Sequence, residues 1–290
     1  MAGRAFCGLP CFPDDDWEDT MSAEPVCLTC GMQYSAPRAD CPVCEDERQY
    51  VPPGGQQWTD LATLRASGDL RARIDEQGPG VLGIGSEPKF AIGQRALLVR
   101  AGGGNFLWDC AAYLDDELVR RITELGGLTG IAISHPHYYT TMVEWAHAFD
   151  VPIYLHEADR QWIGRPDPAI RLWSGATLDV ADDLRLINLG VHFAGGTVLH
   201  WPAGENGRGA LLSGDVVQVI PDRTHVGFMY SYPNLIPERP SVVRRAAELL
   251  EPYEFEAIYG AWWEAIVRTS GHEVVQRSAK RYLAYTQETA

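Results

Sequence analysis

Two Cys-x-x-Cys pairs, Cys27-Leu-Thr-Cys30 and Cys41-Pro-Val-Cys44, stand ten residues apart near the start of this chain. Each pair turns the backbone tightly enough to aim two thiolates at one point. Two facing knuckles then make the tetrahedral sulfur cage that zinc prefers. So short a segment cannot build a core of its own, and bound metal supplies much of its folding energy. Four thiolates leave no open position for a substrate, so the expected role of the ion is structural. A redox pair or disulfides are the alternatives; paired knuckles in a cytosolic chain favour zinc. Between Cys27 and Tyr50, Arg38 and Arg48 face Asp40, Glu45, Asp46 and Glu47, a net of −2, which makes a poor nucleic-acid finger. Cys7 and Cys11 read as a loose thiol pair in a tail, with ligation of another metal as the alternative, and Cys110 as a small buried hydrophobe.

The 290 residues include 46% hydrophobic and 22% charged side chains, a balance that buries a full core. Lys plus Arg is 24 against 39 for Asp plus Glu, a net of −15. A field of that sign repels phosphate backbones and anionic lipid, so the expected partner is a small-molecule substrate, not nucleic acid or a membrane. No apolar run reaches the roughly 20 residues of a bilayer span. The start of the chain lacks a signal-peptide core and soon becomes Asp14-Asp15-Asp16, so a cytoplasmic location is expected. Pro52-Pro53-Gly54-Gly55 reads as a linker. It divides an N-terminal tail (1–24) and a zinc ribbon (25–53) from a larger domain (54–290).

Beyond the linker, strand-like and helix-like segments alternate. Arg95–Arg100 and Asn105–Asp109 flank a glycine turn, as a hairpin does. Asp115 and Asp116 sit at a helix N-cap, with Leu118, Ile122 and Leu125 at helical spacing before Gly126. Short strands are expected at 131–134, 151–155, 185–189, 197–201 and 210–212, and later helices at 241–250 and 272–285. The layout is mixed α/β with several hairpins. Gly80-Val-Leu-Gly-Ile-Gly85 lacks the strand-to-helix setting of a dinucleotide loop.

Of eight histidines, His135 and His137 flank Pro136 at the end of a strand. On extended backbone, residues i and i+2 project to one side, so both imidazoles can reach one ion. His192 lies in the glycine-rich Gly190-Val-His-Phe-Ala-Gly-Gly196, and Asp215 closes Leu212-Ser-Gly-Asp215. Three histidines and a carboxylate at strand-to-loop junctions form a metal site at one rim of a sheet. His147, His156, His200, His225 and His272 take the ordinary role of surface or core residues.

This order of motifs resembles the metallo-β-lactamase fold superfamily. The resemblance rests on Trp108-Asp109, Ser134-His-Pro-His137, Gly190-Val-His192-Phe-Ala-Gly-Gly-Thr and Ser213-Gly-Asp215, and covers about residues 85 to 285. It implies an αββα sandwich with a metal site at one edge of the paired sheets, and hydrolysis of esters, thioesters, lactams or phosphodiesters. The family's first motif is His-x-His-x-Asp-His; here Tyr139 and Thr140 hold the last two of those positions, and Ala261-Trp262-Trp263 stands where a final histidine follows the last core strand. His135, His137, His192 and Asp215 match the first metal position, and the ligands peculiar to a second are missing. The resemblance therefore implies a mononuclear site holding zinc or iron. Asp215 serves as fourth ligand or as partner of a bound water whose pKa falls toward about 7.

Without a two-metal clamp, an activated acyl, thioester or ester carbon is a better substrate than a phosphodiester. Tyr138 or Tyr139 can supply a proton or an oxyanion hydrogen bond, or else pack beneath the loop. Trp262 and Trp263 are expected to wall the other side. Met229–Pro237 reads as a lid, a substrate wall, core packing or a homodimer contact, and Arg100 and Arg165 as carboxylate binders or solvated surface. Two other functions fit the same residues: a non-heme iron oxygenase similar to persulfide dioxygenases, and a non-catalytic metal-binding interaction module.

Overall fold

A computed structural model describes residues 24–286, which leaves Cys7 and Cys11 outside the described residues. The cysteine segment carries β1 (Val26–Cys27) and the one-turn helix α1 (Pro42–Glu45), and β1 pairs antiparallel with β2 (Trp58–Thr59). That pairing reaches past the boundary expected at 53/54, so the segment is tied to the chain beyond the linker. Helix α2 (Leu61–Ser67) follows, capped by the Asp60 carboxylate on the Thr63 amide at 2.7 Å.

Seven strands form the first large sheet in chain order: β3 (Arg71–Gly78), β4 (Val81–Glu87), β5 (Ala96–Ala101), β6 (Gly104–Trp108), β7 (Gly130–Ala132), β8 (Ile153–His156) and β9 (Ile170–Trp173). Pairing is antiparallel from β3 to β6 and parallel from β6 to β9. Helices α3 (Asp116–Glu124) and α4 (Met142–Phe149) supply two of the parallel crossovers. Asp115 caps α3 by accepting from the Leu118 amide at 2.7 Å, as the sequence predicts. The run Val81–Glu87 is a strand between two antiparallel neighbours, with no helix following, so it forms no dinucleotide loop.

The second sheet begins with β10 (Thr177–Ala181), β11 (Leu184–Asn188), β12 (Thr197–Trp201) and β13 (Ala210–Gly214). Two short hairpins follow, β14 (Gln218–Val219) with β15 (Val226–Gly227) and β16 (Met229–Ser231) with β17 (Ile236–Pro237). After helix α5 (Pro240–Leu250), β18 (Ala257–Gly260) joins parallel to β13 and β19 (Ile266–Val267) closes the sheet; helix α6 (Gly271–Thr286) ends the described chain.

Period-two burial on both faces of these strands builds the layers. Leu97 and Val99 of β5 meet Leu199 and Leu212 between the sheets, while Ala96 and Leu98 face Leu118, Ile122 and Trp145 of α3 and α4. Leu211 and Ile258 turn outward onto Val243 and Leu250 of α5 and Val275 of α6. The result is the αββα sandwich. The four knuckle cysteines belong to the same buried cluster as Met142 and Trp145, so they rest on one helical layer instead of standing apart. Gly31, at φ 81°, permits this close seat: a Cβ there would lie 2.7 Å from that of Ala112.

Candidate metal centres and active site

One rim of the sandwich gathers the ends of β6, β7 and β13 and the loop that enters β12. Asp109, just past β6, adopts φ 61° and accepts from the Ser134 amide at 2.7 Å. The Thr197 amide donates to the Ser134 carbonyl at 2.9 Å, stitching the two sheets together at that rim. Ser134 also fixes the next side chain, with its hydroxyl 2.9 Å from His135 Nδ1. This leaves Nε2 of His135 pointing into the site without a hydrogen-bond partner.

The chain then departs from the expected extended course: Pro136–Tyr138 is a 3₁₀ turn. Proline suits the first position of such a turn as well as a strand, because its φ is fixed near −65° in both. The two imidazoles still converge, with ring centroids 5.2 Å apart and planes at 75°. His192 reaches them from a loop so tight that a Cβ on Gly196 would lie 2.0 Å from the Val191 carbonyl oxygen. His192 itself is left-handed at φ 68° and is over-determined by its partners. Its amide donates to Glu238 at 2.9 Å, and Nδ1 donates to the Tyr230 carbonyl at 2.8 Å. That assignment leaves Nε2 free to bind a cation, 3.2 Å from His137 Nδ1.

One donor nitrogen from each histidine lies within 4.8 Å of the others, and all three rings are buried. A cation bound tetrahedrally at Zn–N distances of 2.0–2.1 Å separates its ligand nitrogens by about 3.3 Å, so the 3.2 Å pair matches such a donor set. Asp215 adds Oδ1 at 3.3 Å from His135 Nε2, buried and likewise without a hydrogen-bond partner. Burial, then the neighbouring imidazoles, hold His135 and His137 well below the usual histidine range. Burial brings His192 down to about 4, opposed by the Tyr230 carbonyl and reinforced by Arg48. Neutral imidazoles are the form that ligates metal. Burial pushes Asp215 up to about 7, the mark of a carboxylate lacking a counter-charge.

The cysteines give a second group. Cys27 and Cys44 sulfurs are 3.6 Å apart, as are those of Cys30 and Cys41, and the described cysteines form no disulfide. Tetrahedral zinc with Zn–S bonds of 2.3 Å spaces its sulfurs at about 3.8 Å. Polar groups face the sulfurs as they would face thiolates: Gln56 Nε2 lies 3.1 Å from Cys27 and the Tyr34 hydroxyl 3.3 Å from Cys41. Both groups are thus built to bind a metal.

The tyrosines separate. Tyr138 lies against His135, ring centroids 4.3 Å apart, and lines the cavity above the triad. Burial, then Asp215 and Asp109, push its phenol well above the usual range, so it stays protonated. Tyr139 shares the same buried cluster but does not line the cavity, because the 3₁₀ turn points consecutive side chains apart. The tryptophans separate as well: Trp262 forms part of the cavity wall, whereas Trp263 packs over Gly83 and Gly85 beneath the Arg73 guanidinium. Arg165 is committed to Glu144, Gln33 and Glu24.

Other contributors carry no motif. Phe193 packs edge-on to His137 and His192 at 4.9 Å and stacks on His135 at 5.6 Å. Arg48 leaves the second knuckle, pairs with Asp46 at 2.6 Å and lies over Phe193. The segment Met229–Pro237 is the β16–β17 hairpin, and it holds the site from the side. Tyr232 donates to the Asp215 carbonyl at 2.6 Å, Tyr230 donates to Glu47, and Asn234 donates to the Glu47 and Gln49 carbonyls at 2.9 and 3.0 Å. Their one sequence signal is the density of aromatics in that segment.

Comparison with known proteins places these features. No family model matches the chain. It is 48% identical over 261 residues to the uncharacterized protein YmaE of Bacillus subtilis (strain 168), spanning 89% of this chain and 95% of that protein. Among solved structures it is similar to the DIM-1 metallo-β-lactamase exposed to ceftazidime (TM-score 0.54, 15% identity, 73% of this chain and 98% of that one). It is also similar to the FIM-1 metallo-β-lactamase of Pseudomonas aeruginosa in its mono-zinc form (TM-score 0.53, 14% identity, 74% and 97%). At such identities the likeness is one of fold. No helix among the described residues is long and apolar enough to cross a membrane.

Proposed function

The chain belongs to the family of Bacillus subtilis YmaE, carried on the metallo-β-lactamase fold, and from that premise we propose that it is a metal-dependent hydrolase of small activated acyl, thioester or ester substrates. The observation that carries this reading is the one complete donor set, His135, His137, His192 and Asp215, with two of its buried atoms, His135 Nε2 and Asp215 Oδ1, lacking any hydrogen-bond partner. Tyr139 and Thr140 offer nothing to a second cation beside it, which supports a single-ion centre and an acyl substrate over a phosphodiester. A zinc ion held there supplies Lewis acidity and an acidified water.

The chain's own groups do the rest. Ser134 and the Tyr230 carbonyl hold two imidazoles in their ligating orientation. The Asp215 carboxylate completes the donor set and can accept a proton. Tyr138, protonated at neutral pH, is placed to donate a hydrogen bond to an oxygen gaining negative charge. Trp262 and Ile92 give the cavity apolar wall that excludes bulk water. The structural role of the cysteine-bound zinc belongs to the same proposal.

The test combines elemental analysis with turnover of 4-nitrophenyl esters by wild type and His192→Ala. The expected result is one cation in the triad, zinc, and loss of turnover in a variant that keeps its circular dichroism. Undiminished turnover in His192→Ala overturns the proposal, and bound iron with oxygen uptake replaces it with the oxygenase.

A further inference from the structure

The hollow above the triad adjoins a second hollow. The inner chamber, about 240 Å³, reaches His137, His192, Asp215, Tyr138 and Trp262. A further chamber of about 380 Å³ lies beyond, with Leu28, Pro52, Leu70 and Phe90 among its walls. Thr29, Tyr50, Lys89 and Ala91 line both, so these four residues form the wall the two share.

We propose that Lys89 at this shared wall binds a carboxylate of the substrate, making the substrate an acyl compound with an anionic group set away from its reacting bond. The choice of an acyl compound rests on the hydrolase reading; the carboxylate site itself does not.

The chain has two lysines, Lys89 and Lys280, and a net charge of −15. Against that field it places Lys89 on the wall of the site, where, among the described residues, it is the only lysine or arginine lining either chamber. The carboxylates of those linings are Asp215, at the metal end, and Asp69, in the outer chamber. None of the ion pairs among the described residues involves Lys89, and none of their hydrogen bonds engages its ammonium. Lys89 is exposed, and its stem runs beside Gly93, which at φ 82° has no Cβ to displace it: the Lys89 Cβ and Cδ lie 3.0 Å from where one would stand. Thr29 and Tyr50, two hydroxyl-bearing residues, belong to the same shared wall. A carboxylate uses an ammonium and hydroxyls together, whereas a neutral ester tail forms no charge-assisted hydrogen bond with the ammonium. The apolar walls of the outer chamber then receive what extends beyond.

Two esters of equal chain length test the assignment: mono-4-nitrophenyl adipate, with a terminal carboxylate, and neutral 4-nitrophenyl hexanoate. Zinc-loaded wild type is expected to favour the adipate in kcat/KM by about 10- to 100-fold, the span of one charge-assisted hydrogen bond. Lys89→Met brings the ratio near one, chiefly through KM, whereas Lys280→Met, which removes the same charge from α6, keeps the preference. Calorimetric titration with free adipate runs in parallel, because it needs no turnover. Weaker adipate binding in Lys89→Met with neither ester hydrolysed by wild type supports the carboxylate site and defeats the hydrolase reading. A wild-type ratio near one, or adipate binding unchanged in Lys89→Met, overturns the assignment of Lys89.

Discussion

The guanidinium carbon of Arg48 lies 3.8 Å from the centroid of the Phe193 ring, and the same ring stacks on His135. Arg48 Nη1 also donates to the His192 carbonyl at 3.4 Å. One side chain leaving a cysteine knuckle therefore touches both His192 and the ring that packs on the triad, and the two metal-binding groups share a wall.

Removing that side chain separates the groups. In Arg48→Ala, Phe193 loses its cation and Asp46 its partner, so the His192 loop loosens. The affinity of the triad for zinc is expected to fall about 10- to 100-fold, the range for losing an outer support of a ligating histidine. Competition with a chromophoric chelator measures it, and unchanged affinity would show that Arg48 merely covers the ring.

Cation content follows from the two donor sets. Wild type is expected to hold two ions per chain, and His192→Ala one. Cobalt substitution of that variant should retain the sulfur-to-cobalt charge-transfer band of the cysteine cluster. Three ions in wild type would mean that the rim accommodates a pair.

Tyr138→Phe removes the only phenol that both touches His135 and lines the inner chamber. We expect kcat to fall by about 10²-fold or more, in line with loss of a positioned donor, at unchanged metal content. Tyr139→Phe, altered within the core, should leave turnover where it was. Equal effects of the two changes would return Tyr138 to a packing role.

Asp159 offers a pH signature apart from the metal. Burial pushes its carboxyl up to about 6, against the pull of the Gly195 amide and of Arg48, and its Oδ2 has no hydrogen-bond partner. Because the folded value exceeds the unfolded one, the native state binds more protons between pH 4 and 6, and ionisation costs stability above that window. Asp159→Asn should therefore raise stability at pH 7.5 by about 2–3 kcal/mol. The gain should shrink through pH 6 and vanish below about pH 4 in denaturant titrations. A constant gain at every pH would point to packing.

What could be read in advance was local. The knuckles are legible because metal geometry dictates a short spacing, and the Asp115 cap because helix starts are set within one turn. The triad is legible as an ordered set of motifs on strand ends. Lys89 and Arg48 are not, since neither sits in a pattern; their roles arise only when the loop before β5 and the second knuckle are folded onto the rim. The course of Pro136–Tyr138 was ambiguous because proline satisfies both turn and strand. Strand β3 escaped for a different reason: Arg71-Ala-Arg-Ile-Asp-Glu is mostly exposed at a sheet edge, so its alternation is weak.

Thr29, Gln49 and Tyr50 at the mouth are synthesised well before His192 and Asp215 at the floor. On a ribosome the early segment emerges long before the surface it leans upon, and its thiols must capture an ion or wait exposed. On the zinc reading proposed above, metal supply during translation, and not only afterwards, is expected to set how much of the newly made protein acquires a closed mouth.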